Sequence, residues 1–171
     1  FIVLPSGTVS TLFSVQTATI NQINTKVVGN TIAGSEVFFN ILANNFKVLI
    51  FCILFAFFDG AGAIFILTWN ASVIAAAIGA FVRSRISSIS SYFVIYPIAL
   101  MRYMTHGIFE ILAYFVAGLA GGIISVAVIN HQLGTKRFLR VLTDSISLII
   151  ISLIILIIAA LIEVYVTPLL F

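Results

Sequence analysis

Two ionisable side chains four residues apart, His106 and Glu110, stand in a stretch made otherwise of apolar and small residues. At that spacing they share one face of a helix. Arg102 lies four residues earlier and extends the stripe toward a boundary. Glu163 stands in a second apolar stretch, preceded by Ala159 and Ala160, small residues that let a neighbouring helix come close. Asp59 interrupts a third. Low-dielectric surroundings disfavour a charged carboxylate, and an ionised group inside a bilayer costs roughly 3 kcal/mol on insertion scales. Such groups therefore pair or line a polar cavity. The chemistry open to them is proton relay or cation binding. The same residues also suit a structural role, in which Glu110 and Glu163 hydrogen-bond to neighbouring helices and fix their register.

Catalytic readings find less support. His106 and Glu110 have helical ligand spacing, but a zinc site needs a third protein ligand. The candidates for it are His131, about a helix length away, Glu163 and Asp59. The metalloprotease pattern H-E-x-x-H is absent, and so are a G-x-S-x-G elbow and a glycine-rich phosphate loop. The single cysteine, Cys52, lies in an apolar run. It rules out an intrachain disulfide and a cysteine metal cluster and reads as a small packing residue. The expectation is a protein with no catalytic residue, metal or cofactor.

These side chains must be held by helices that cross a membrane. Of the 171 residues, 62% are hydrophobic and 8% charged. A soluble domain carries about 25% charged residues, so this chain cannot cover a core with a water-facing surface. The mean hydropathy is +1.27. Residues 60–82, 111–130 and 145–162 contain no Asp, Glu, Lys, Arg or His. Each approaches or exceeds the roughly 18 residues that suggest a span. A net charge of +3 is too small to suggest nucleic acid and fits basic loops beside membrane helices.

The predicted fold class is all-α: a polytopic transmembrane bundle of four to five membrane helices, at least one of them kinked or broken. It forms a single domain with a polar segment at 1–35 and a helical core at 36–168. The polar segment, rich in Ser, Thr, Asn and Gln, is read either as a surface helix or as an exposed loop. Phe1–Leu4 could be the tail of an upstream helix, which would add one to the count. Asn44, Asn45 and Lys47 mark an interfacial entry. Val48–Val82 would be about 52 Å long as one helix, against a hydrocarbon core of about 30 Å, so it must break. Asp59-Gly60-Ala61-Gly62 is the preferred break and Trp69-Asn70 the alternative. Residues 83–105 read as a loop with three arginines and an aromatic cluster at Tyr92, Tyr96 and Tyr103. The following spans are placed at about 106–129 and 141–166, joined by a short basic loop at 131–140. That loop is assigned to the cytoplasmic side, with both chain ends outside.

Close packing within a bilayer depends on small residues. Ala113, Ala117, Gly121 and Ser125 recur every four positions, and Gly118 and Gly122 form an adjoining GxxxG pair. Ala71, Ala75 and Gly79 offer a second such face. These predict close helix contacts within the subunit or across a homodimer. The run from Ile146 to Ile158 faces lipid over much of its circumference.

The segment Thr105-His106-Gly107-Ile108-Phe109-Glu110 resembles the Pro-His-Gly-x-x-Glu motif of the stage II sporulation protein M family, with Thr105 in place of proline. Ala159-Ala160-Leu161-Ile162-Glu163 is similar to that family's Ala-Ala-x-x-Glu pattern. Asn44-Asn45, Gly60-x-Gly62 and Asn70, here followed by alanine where glycine is usual, fit as well. The resemblance covers roughly 36–168 and carries the motif onto His106, Gly107, Glu110 and Glu163. It implies a multi-pass plasma-membrane protein of bacteria or archaea. In spore formers the family works with partner proteins during forespore engulfment. The expected function is a non-enzymatic membrane component that forms homodimers or hetero-complexes, with a proton- or cation-linked transporter as the alternative.

Overall fold

The computed structural model describes residues 4–28, 34–86, 88–130 and 133–171, apart from the side chains of 22–28, 59, 89 and 90. Two short helices, α1 (Ser6–Leu12) and α2 (Ser14–Val28), precede the long ones. Then come α3 (Gly34–Asp59), α4 (Gly62–Arg85), α5 (Ile89–Ile129) and α6 (Lys136–Leu161). A π-turn over Ile162–Val166 and a last turn, α7 (Thr167–Leu170), continue α6. Among the described residues four helices are long and apolar enough to cross a membrane.

The α3–α4 break falls at the glycine pair. Gly60 takes φ +58, a left-handed conformation that costs other residues energy. The backbone stays satisfied there, with Gly60 N donating to Ala56 O and Ile64 N to Ala61 O. Gly62 is needed for close approach instead, since a Cβ there would lie 2.8 Å from Phe55 Cβ. Trp69-Asn70, the alternative break, lies in unbroken helix within α4, where the Asn70 side-chain amide donates back to Ile66 O.

The reading of residues 83–105 as a loop is wrong for most of its length, since α5 begins at Ile89 and runs for 41 residues through Pro97. The polar serines mark the start of a helix: the Ser88 hydroxyl accepts from Ser91 N. The aromatics pack along the helix, Tyr92 stacking on Tyr96 and Tyr103 meeting Phe81 of α4 edge-on. Ala99 is buried against Ile78 and Val82. At about 1.5 Å per residue, α5 is roughly 60 Å long, about twice the hydrocarbon core. It cannot lie wholly within that core if it crosses upright.

Helix α5 is the axis of the bundle, packed by α3, α4 and α6. The small-residue stripe makes these contacts inside the subunit. Ala113, Ala117 and Ala120 are fully buried. Gly121 lies on the backbone of Ile53, and a Cβ at Gly118 would be 3.0 Å from Ala63 Cβ. Gly122 has open space beside it. In α6 the spacing is inverted relative to a soluble helix: Ser145, Ser152, Ala159 and Ala160 are buried, while Ile146, Ile150, Ile154 and Ile157 face outward. On α4, Ala76 and Gly79 are buried, whereas Ala71 and Ala75 remain exposed.

The polar N-terminal segment is helical over its described part, and residues 29–33 lie outside that part. Helix α2 lies against α4 and touches α3. The Arg83 guanidinium donates to Leu4 O, tying the start of the chain to the end of α4. At the same end of the bundle, Arg102 donates to the backbone oxygen of Phe171. Both chain ends thus lie on one side.

Candidate functional site

A cavity of about 440 Å³ opens among α2, α3, α4, α5 and the π-turn. Its polar side chains come mainly from α3 and α5, while the α4 wall is mostly apolar, with Val73, Ile74 and Ala77. Helix α3 contributes Asn40, Asn44, Asn45 and Lys47, and α4 contributes Asn70. Helix α5 contributes Tyr103, His106 and Glu110, the π-turn Glu163, and α2 Thr19 and Ile20. By helical rise Asn70 lies about 12 Å from Gly62 and about 22 Å from Arg85, well inside the α4 span.

Hydrogen bonds organise the site. Asn45 Nδ2 donates to Glu110 Oε1 at 2.5 Å. Asn44 Nδ2 donates to Asn45 Oδ1 at 3.5 Å, aligning that amide. His106 Nε2 lies 3.9 Å from Glu163 Oε1, longer than a hydrogen bond but within Coulombic reach if the ring is charged. On its other side, His106 Nδ1 is 3.4 Å from the buried Thr167 hydroxyl. That hydroxyl also donates to Ile162 O, across the π-turn.

The π-turn has a local cause. Pro168 has no N–H and its ring crowds the carbonyl one turn back, so the regular i→i−4 bonding of α6 cannot continue through it. The wider turn is closed instead by Thr167 N on Ile162 O. Such turns re-aim side chains and recur at functional sites. This one presents Glu163 to the cavity.

The cavity is closed toward the α3–α4 turn. One helical turn beyond Asn45 and Glu110 stand Leu49 and Tyr114, packed with Cys52, Ala113, Ala117 and Leu156 into the main apolar core. The opposite end, where the chain termini and α2 lie, carries the polar stripe of Asn40 and Asn44.

Of the residues singled out from sequence, His106, Glu110 and Glu163 meet in this cavity. Arg102 does not: it lies toward the chain end, on Phe171 O and 5.5 Å from the Phe81 ring. Asp59 closes α3, and its side chain, like residue His131, lies outside the described part. Gly107 is buried, and a Cβ there would meet Ile74 Cδ1 at 3.4 Å, so it brings α4 close to α5. Asn44, Asn45 and Lys47, read as an interfacial entry, line the cavity. A signal was present: Asn45, Leu49, Cys52 and Ala56 recur at 4, 3 and 4, and all are buried. Asn45 is thus the polar end of an inward stripe. Among the described residues, no three His, Cys, Asp or Glu side chains are close enough to hold one metal ion.

Fold and site together define an all-helical membrane protein with a polar cavity between its apolar helices. The family model of stage II sporulation protein M matches residues 1–168, and the chain belongs to that family. The match takes in the polar N-terminal helices as well as the helical core. No curated protein and no solved structure matches the chain.

Proposed function

We propose that this protein is a small, non-enzymatic, proton- or cation-linked transporter or channel, crossing the plasma membrane four times and using Glu110, His106 and Glu163. The observation that carries the reading is the convergence of carboxylates from two different helices on one open cavity inside the bundle. The Asn45–Glu110 bond joins α3 to α5, and the space left beside it is room that register alone does not require. Two carboxylates against Lys47 give the site the capacity to take a proton or a cation. The apolar layer of Leu49, Cys52 and Tyr114 would then be the barrier that moves during passage. A ligand that binds only the folded state raises Tm in a concentration-dependent way. At least one of Li⁺, Na⁺, K⁺ or a small alkylammonium should raise the Tm of the purified protein, and none should do so in a Glu110→Gln, Glu163→Gln variant. Equal shifts in both proteins would count against the site.

A second reading is supported by Ala71 and Ala75. They form an exposed pair of small residues on α4, suited to close approach by another membrane helix. On that reading the protein is an assembly component, in a homodimer or in a hetero-complex with partner membrane proteins. Gentle extraction from native membranes, with identification of co-purifying chains, tests it. A monomer with no partner would remove it.

A further inference from the structure

The bundle has a step at the end opposite the polar cavity. Gly118 of α5 packs on Ala63 of α4, close to the α3–α4 turn. Helix α5 then continues to Ile129, so by helical rise its end passes the turn by roughly 12 Å. Ile64, Phe115, Val126 and Ile129 are all exposed around this step. Such surface belongs in hydrocarbon, which places the turn below the headgroups and the start of α6 among them. Between the turn and the upper part of α5 runs a groove of about 860 Å³. Its walls are Phe58, Ile64, Leu67, Phe115, Leu119 and Val126. Gly122 lies in it with nothing within 4 Å of where its Cβ would be. Arg137 and Val141 of α6, one turn apart, close its upper end beside Asn130.

We infer that this groove is a binding site for one anionic phospholipid, an acyl chain lying along α5 over Gly122 and the phosphate held by Arg137. The groove is lined mostly by apolar side chains and ends on a guanidinium, whose fork of donors matches phosphate oxygens. Lys136 and Arg140 flank Arg137, both exposed, and among the described side chains no acidic one lines the groove. Asp144, one turn beyond Arg140, is not among the residues that line it. This charge favours an anionic headgroup over a zwitterionic one or over a second copy of this chain, which would bring three more cations to the same end.

The test is native mass spectrometry of the protein exchanged into mixed phosphatidylglycerol and phosphatidylcholine nanodiscs of matched acyl chains. The wild type should retain one phosphatidylglycerol, preferred roughly fivefold, the worth of one basic side chain at an anionic surface. Arg137→Gln should lose the preference and Arg137→Lys should keep most of it. Gly122→Leu should eject the retained lipid of either kind, while Arg83→Gln, at the other end of the bundle, should change nothing. Equal retention of the two lipids by the wild type would overturn the proposal. So would unchanged preference in Arg137→Gln, or a lipid-free dimer.

Discussion

Replacing Gly121 by alanine should destabilise the bundle, while the same change at the adjacent Gly122 should not. At Gly121 a new Cβ would meet the Ile53 backbone, with Cα and carbonyl carbon each 3.1 Å away and the carbonyl oxygen closer still. Carbon atoms pack at about 3.5–4.0 Å, so α3 would have to retreat by roughly 0.5–1 Å. Backbone cannot rotate aside as a side chain can, and overpacking of this kind costs about 1–3 kcal/mol. At Gly122 the same methyl meets nothing within 4 Å. Both changes gain the same helix propensity, about 1 kcal/mol, which cancels when they are compared. The predicted difference between the two variants is therefore the overpacking cost, about 1–3 kcal/mol. Denaturation in mixed detergent micelles, followed by the fluorescence of the single tryptophan, Trp69, would measure it. Equal midpoints for the two variants would show that α3 and α5 do not approach at Gly121, and the position of Asn45 against Glu110 would fall with that contact.

Other changes have equally definite outcomes. Gly60→Ala forces a left-handed conformation on a residue with a Cβ and should cost about 1–2 kcal/mol in the same assay. Glu110→Leu strands the Asn45 amide inside the cavity and should cost about 1–3 kcal/mol, whereas Glu110→Gln keeps an acceptor there and should stay within about 0.5 kcal/mol of wild type. Thr167→Val keeps the side-chain shape but removes the hydroxyl from Ile162 O and His106. It should cost about 0.6 kcal/mol, the average for such bonds in membrane bundles.

Much of this architecture is legible in the sequence because a bilayer restricts the options. Uncharged runs of span length fix the membrane class, and one excess length with a glycine pair in it fixes the break at Gly60. Spacing of four places His106 and Glu110 on one face, and both do line the cavity. What spacing within one helix cannot say is which other helix lies opposite. Glu163 approaches His106 from a π-turn just before Pro168, which no spacing within α5 announces. Hydropathy reads Asn45 by depth alone and does not say which way it faces, whereas its register with Leu49, Cys52 and Ala56 points inward. Residues 89–105 read as a loop for a related reason. Serine, arginine and tyrosine mark headgroup depth, and a helix passes through that depth as readily as a loop does.

Flux shows most directly whether Glu110 and His106 carry a proton or a cation through this protein. Wild type and the Glu110→Gln and His106→Ala variants would be reconstituted into liposomes at equal density, with matched elution profiles showing the fold intact. A potential would then be imposed, and proton and monovalent-cation entry followed with entrapped dyes. Entry should exceed that into protein-free vesicles for the wild type and be lost in both variants. Entry no faster than in protein-free vesicles, or unchanged in the two variants, would contradict transport and leave the cavity with a role in assembly.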